Sequence, residues 1–194
     1  KNPQIPWSEK DDRVLGNTSI DRWSYSSSKA VCEHMLYALH RAKNLPFNIV
    51  RFFNAYGPKQ NPIYAISKSV YHVLRNEQPL LYDSGNQTRC FTYIDDIIDA
   101  LILIGLHYDG TGEAFNLGRP VESKISDIIP VITKIAGIHI TTKQFNTNES
   151  YGKSYEDIPR RVPDVSKAKK ILNWEATTTL EEGILKTIIT VLVN

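Results

Sequence analysis

Tyr25 and Lys29 stand four residues apart, the spacing that sets two side chains on one face of an α-helix. A lysine ammonium beside a phenol favours the phenolate, so a tyrosine held this way can take the proton of an alcohol near neutral pH. An ordinary solvated helix surface also carries such pairs, and the spacing alone leaves both readings open. Asp95 and Asp96 open an apolar-periodic segment, where capping and dipole compensation explain them better than paired catalytic carboxylates. Five scattered histidines and two cysteines, Cys32 and Cys90, give neither metal-ligand spacing nor a disulfide framework, so no metal is expected and a reducing, cytoplasmic setting fits.

The elements that must position these residues alternate between helix and strand. Val31, His34, Met35, Ala38, Leu39 and Ala42 recur at helical spacing up to about residue 43, where Asn44 and Pro46 stop the helix. Residues 47–53 read as a buried strand that ends in the turn Asn54-Ala55-Tyr56-Gly57-Pro58. A helix over 62–76 follows, then strands at 79–82 and 89–93 that look like a hairpin across Asp83-Ser84-Gly85-Asn86. Asp95 is expected to cap the next helix. The order continues with strand 114–117, helix 123–136, strand 138–145, a long polar loop, a short helix at 166–172 and a last helix from 179. Such alternation predicts α/β layers. Residues 1–20 read as irregular surface chain.

Of 194 residues, 41% are hydrophobic and 23% charged, the balance of an ordinary globular chain with one good core or one and a half small ones. The net charge of +2 is spread along the sequence, so no basic face argues for nucleic acid or a membrane surface. No apolar run is long enough to span a bilayer.

Several motifs occur in a fixed order: Tyr25-Ser26-Ser27-Ser28-Lys29, Arg51-Phe52-Phe53-Asn54-Ala55-Tyr56-Gly57-Pro58, Gln87-Thr88-Arg89 through Asp95-Asp96, Phe115-Asn116-Leu117-Gly118, and Arg161-Val162-Pro163 leading to Trp174. Together they resemble the extended short-chain dehydrogenase/reductases, specifically the NAD-dependent epimerase/dehydratase family that acts on nucleotide sugars. The resemblance spans essentially the whole chain and departs at Asn173, where glycine is usual.

The resemblance implies the later part of a Rossmann-type parallel sheet with helices, plus a small α/β substrate-binding domain. Residues 1–60 would belong to the NAD-binding unit and 61–194 mainly to the nucleotide-sugar unit, with some segments returning to the sheet. It makes Tyr25 the catalytic acid/base and Lys29 the holder of the nicotinamide ribose, with Ala55 facing NAD and Asn54 the substrate. Asn54 as a turn-capping residue is an equal reading. Tyr82 would lie at the nucleotide base and ribose. Arg89 and Arg161 would clamp the diphosphate, since a guanidinium offers paired donors to phosphate oxygens; for Arg160 a surface ion pair is the better reading.

The implied partners are a nucleotide sugar, most simply a UDP-sugar, and a second copy in a homodimer. The implied chemistry passes through a 4-keto sugar. UDP-sugar 4-epimerase is the leading expectation, followed by UDP-glucuronate decarboxylase and 4,6-dehydratase. The family's glycine-rich cofactor motif is absent, and Met35 is the only methionine. These facts lead to the expectation of a fragment that binds NAD weakly and is inactive alone; the rival is a non-catalytic nucleotide-sugar-binding chain.

Overall fold

The structure, a computed structural model, describes residues 5–13, 15–147, 149 and 158–193. In chain order its elements are α1 (Arg22–Lys43), β1 (Asn48–Phe52), β2 (Ala55–Tyr56), α2 (Ala65–Leu74), β3 (Leu80–Tyr82), β4 (Thr88–Cys90), β5 (Thr92–Tyr93), α3 (Ile94–Ile102), a π-turn (Leu103–His107), β6 (Glu113–Leu117), β7 (Glu122–Lys124), α4 (Ile125–Ala136), β8 (Lys143–Phe145), β9 (Arg160–Arg161), α5 (Ser166–Leu172) and α6 (Leu180–Val193). The expected α/β alternation is present. Much of the polar loop before α5 lies outside the described residues.

Helix ends follow backbone chemistry. Asn44 closes α1 in the left-handed region at φ 53°, and Asn173 closes α5 at φ 50°. Asparagine tolerates that region, which is why the departure from glycine at 173 leaves the helix end intact. The strand after α1 is the spine of the site. β1 pairs in parallel with β6, in register from Asn48↔Glu113 to Phe52↔Leu117. Phe115 and Leu117 are fully buried, as a parallel strand covered on both faces requires. Beyond Asn54, whose φ is 42°, the chain resumes as β2 and pairs with β5.

Three expectations need correction. The segments at 79–82 and 89–93 do not form a hairpin: β3 pairs with β8, while β4 lies between antiparallel β7 and parallel β9. The reason is in the connection. Asp83 takes a left-handed φ of 52° and its carboxylate accepts the Thr147 N–H (2.9 Å) and hydroxyl (2.6 Å), while the Gly85 carbonyl accepts the Ser126 N–H (3.0 Å), so the two strands leave in different directions. Strand 138–145 shrinks to Lys143–Phe145, the part that β3 can pair. Asp95 caps nothing; α3 begins after Tyr93, without a side-chain cap, and both aspartates sit in its first turn. Asp96 is buried and accepts the Thr178 N–H at 3.1 Å, which ties α3 to the chain entering α6.

Two apolar clusters result. Tyr56, Ile66, Val70, Val73, Tyr93, Ile128, Ile132, Ile184 and Ile188 join α2, α4 and α6 beneath β2 and β5. Ile97, Ala100, Ile104, Phe115, Leu117, Ala168, Trp174 and Ala176 join α3, β6 and α5. Trp174 fills core, and its indole N–H donates to the Asp96 carbonyl at 3.0 Å. Each such large apolar side chain stabilises by about 1.5–3 kcal/mol when buried. A methyl group at Gly183 would land on the Tyr56 hydroxyl and the Tyr93 ring, so this glycine lets α6 close onto them.

The cysteines occupy opposite environments. Cys90 is fully buried and its thiol is pushed up to about 12, first by burial and then by the nearby Glu122 carboxylate; Cys32 is exposed. Thiolate is the reactive form. A disulfide reagent at pH 8 is therefore expected to titrate one thiol in the folded chain and two after denaturation; two fast thiols in the folded chain would contradict this packing.

Candidate functional site

Helix α1 presents Tyr25, Lys29 and Glu33 at successive four-residue steps, one above the other. Glu33 anchors that face to β1: Arg51 donates to it from Nε (3.0 Å) and Nη2 (2.7 Å), and Arg13 pairs with the same carboxylate. Arg51 also donates to the Glu9 carbonyl at 3.2 Å. Burial works to raise the Glu33 carboxyl, but the hydrogen bonds and charges of Arg51 and Arg13 prevail and hold it below its ordinary value.

A depressed folded-state value means that the contribution to stability is present above the unfolded carboxyl's titration and is lost as pH falls through the folded one. Glu33→Gln is expected to lower the melting temperature at pH 7, and the deficit should shrink as pH falls below the ordinary carboxyl range and through the lowered titration of the folded Glu33 carboxylate. A deficit constant from pH 7 to pH 2 would deny the ion pair its role.

The segment before α1, expected to be irregular surface, is a strap fixed over the strand ends. The Trp7 N–H donates to the Val162 carbonyl, and the Trp7 carbonyl accepts from the Asp164 N–H, each at 2.8 Å. The buried Asn116 donates its amide to the Trp7 carbonyl (2.9 Å) and its backbone N–H to the Glu9 carboxylate (2.8 Å). The Phe115-Asn116-Leu117-Gly118 motif is thus explained by strap docking.

Two adjoining clefts open beside these elements. One, of about 680 Å³, is lined by Tyr25, Lys29 and Arg161, with aromatic walls from Trp7, Trp23, Phe52 and Phe53. Tyr25 is 69% exposed, and the Lys29 ammonium lies 5.5 Å from the centre of its ring. The other, of about 710 Å³, is lined by Asn54, Ala55, Tyr82 and Arg89. Among the described residues, no carboxylate lines this second cleft, whereas two arginines do. Arg22 and Phe52 line both.

All seven residues singled out in the sequence therefore face one cleft or the other. Arg89 and Arg161 are register partners across β4 and β9, yet Arg89 lines the second cleft and Arg161 the first. Arg89 is 8% exposed, and Nη1 donates to the Thr88 and Ile158 carbonyls, each at 2.7 Å. The Arg161 guanidinium stands 5.9 Å from the Trp7 ring. Arg160 forms an ion pair with Glu122 at 2.5 Å. The Asn54 amide donates to the Cys90 carbonyl at 3.0 Å, so turn geometry and cleft lining coexist in one residue. The Ala55 carbonyl accepts from Gln60 at 2.8 Å.

Sequence reasoning missed Arg22, whose only signal was its place one turn before Tyr25, and the two tryptophans of the first cleft. Whether NAD suits these residues depends on which end of it is considered. The aromatic walls around Tyr25 and Lys29 suit a nicotinamide and its ribose. A pyrophosphate needs close backbone approach at a glycine-rich turn leading into a helix. The Gly110/Gly112 turn instead precedes β6, and Gly112 donates to the Phe47 carbonyl.

No group of acidic, histidine or cysteine side chains among the described residues is arranged to hold a metal ion. No helix among them is long and apolar enough to cross a membrane.

The profile of the family described as GDP-mannose 4,6 dehydratase matches residues 9–187. The UDP-N-acetyl-alpha-D-glucosaminuronate decarboxylase of Bacillus cytotoxicus is 36% identical over 189 residues, covering 94% of this chain and 57% of that protein. UDP-glucuronic acid decarboxylase 1 of Xenopus tropicalis is 32% identical over 169 residues, covering 86% and 38% respectively. Among solved structures, the UDP-glucuronic acid 4-epimerase of Bacillus cereus, in complex with UDP-glucuronic acid and NAD, superposes with a TM-score of 0.80 at 26% identity, covering 94% of this chain and 58% of that one. The chain spans 57% of the first of these relatives and less of the second.

Proposed function

The chain belongs to the GDP-mannose 4,6 dehydratase family, within the extended short-chain dehydrogenase/reductases and their Rossmann-type fold, and from that membership we propose that it binds a UDP-linked hexuronic acid for NAD-dependent chemistry at the sugar C4. One observation carries the reading: Arg89 and Tyr82 line one cleft while Tyr25, Lys29 and Arg161 line its neighbour. A nucleotide diphosphate suits the cleft of Arg89 and Tyr82, where the described lining residues include two arginines and no carboxylate. The sugar then lies over the ridge of Arg22 and Phe52, with its C4 hydroxyl at Tyr25.

When bound, NAD⁺ supplies a hydride acceptor. Tyr25 takes the hydroxyl proton at its phenol oxygen, and Lys29 holds the nicotinamide ribose. The resulting 4-ketone stands β to the C6 carboxylate: breaking the C5–C6 bond releases CO2 and leaves its electron pair on C5 as an enolate, and a proton delivered to C5, hydride returned to C4 and the Tyr25 proton returned to the C4 oxygen give the UDP-pentose. The Arg161 guanidinium, in the same cleft as Tyr25, orients that carboxylate by its paired donors.

Decarboxylation is favoured over the 4-epimerisation expected from the sequence because the two sequence relatives described above are decarboxylases of UDP-hexuronic acids. Epimerisation is the second reading, supported by the solved 4-epimerase that binds UDP-glucuronic acid. Residues 1–60 with β6 serve the cofactor unit, 61–194 mainly the nucleotide-sugar unit, and the functional form is a homodimer completed by a glycine-rich cofactor segment.

Supplying that segment together with NAD and UDP-glucuronate tests the proposal by product analysis. CO2 and a UDP-pentose are expected. UDP-galacturonate without CO2 would establish the second reading, and no conversion at all would overturn both.

A further inference from the structure

Lys68 projects from α2 to Tyr82, which lines the second cleft. Its ammonium donates to the Tyr82 hydroxyl at 2.9 Å and lies 5.6 Å from the centre of the same ring. Among the described residues, no carboxylate forms an ion pair with it. Tyr82 is braced from another side by Phe145, whose ring meets it edge-on at 5.0 Å. Both partners are half-buried, so the pair is a fixed feature of the cleft wall rather than two free surface chains.

An ammonium has three donors and no acceptor, so in this contact the phenol oxygen must accept. The hydroxyl proton of Tyr82 is then left over, and among the described residues no acceptor takes it. Tyr82 lines the cleft with Arg22 and Arg89. A neighbouring positive charge also polarises the O–H and strengthens it as a donor. We propose that Lys68 is a positioning residue that locks Tyr82 as a hydrogen-bond donor to an oxygen acceptor of the bound nucleotide. Neither the motifs nor the chemistry at Tyr25 calls on Lys68. The inference rests on the UDP reading above and deepens it: the cleft selects ligands with an oxygen acceptor at this wall and tolerates no donor there, because a donor would face the phenol proton and the ammonium together.

Calorimetric titration of UDP into the chain and its Tyr82→Phe, Lys68→Met and doubly substituted variants tests this. Loss of one such hydrogen bond corresponds to about 3- to 10-fold in affinity. Each single variant should weaken UDP binding by that factor, and the double variant should be about as weak as either single one, because the two residues act as a unit.

Melting temperatures within a few degrees of wild type would show that the folds persist. A purely structural lysine would lower the melting temperature without the matched loss of affinity. Wild-type affinity in Tyr82→Phe, or losses that add fully in the double variant, would overturn the inference while leaving UDP binding intact. Failure of the wild-type chain to bind UDP would instead strike the nucleotide reading itself.

Discussion

Tyr25→Phe, assayed with NAD and a glycine-rich cofactor segment supplied as in the proposed function, is expected to lower turnover of UDP-glucuronate by about 10²- to 10⁴-fold, the range that a positioned acid/base supplies. The phenol oxygen is the only atom removed, and Tyr25 is 69% exposed, so neither packing nor fold is at stake. The signature is the split between the kinetic terms. A group that acts mainly in the transition state lowers kcat and kcat/KM together, while UDP affinity stays within about twofold because the nucleotide lies in the neighbouring cleft. Lys29→Met should show a smaller fall in kcat together with weaker cofactor binding. Unchanged turnover in Tyr25→Phe would return the Tyr25/Lys29 pair to the ordinary helix surface that its spacing also permits.

Arg89→Ala carries the second large effect, an expected loss of UDP affinity of about 30-fold or more, the result of leaving a diphosphate without a buried charged partner. Arg89 is 8% exposed, and its Nη1 ties β4 to the Ile158 carbonyl, so the alanine variant is also expected to melt at a lower temperature. Arg89→Lys separates the two effects: it keeps the charge but loses the planar fork, and should recover only part of the affinity. Isothermal titration with UDP reads both variants. Equal affinity of Arg89→Ala and wild type would remove the diphosphate from the second cleft.

What the sequence disclosed and what it hid follow from the range of the interactions involved. α1 and β1 were legible because their signals are local: helical periodicity, a stop at Asn44 and Pro46, and a buried run between turns. Tyr25 and Lys29 were legible as neighbours for the same reason, as was Asn173 as a helix end. The pairing of β3 and β4 was not legible, because their partners β8 and β9 lie some 60–70 residues further along and no local pattern names them. Arg89 and Arg161 were singled out by the family resemblance and by the chemistry of the guanidinium; that they line different clefts depends on side-chain direction, which neither encodes.

The strap shows the same limit. Pro3, Pro6, Gly16 and Asn17 mark residues 1–20 as irregular surface chain, yet Trp7 and Glu9 hold the end of β6 through Asn116. Nothing in the sequence singles out Lys68, and only the approach of Tyr82 gives it a role.

In the proposed function the two clefts hold one UDP-hexuronic acid, with the nucleotide against Arg89 and Tyr82 and the sugar at Tyr25 and Arg161. Titration of UDP-glucuronate into wild-type and Arg161→Met chains, with UDP as the reference ligand, tests it most directly. Wild type is expected to bind both ligands, and Arg161→Met to lose affinity for UDP-glucuronate by about tenfold or more while keeping most of its affinity for UDP. Equal losses for the two ligands, or no binding of either by the wild-type chain, would contradict it.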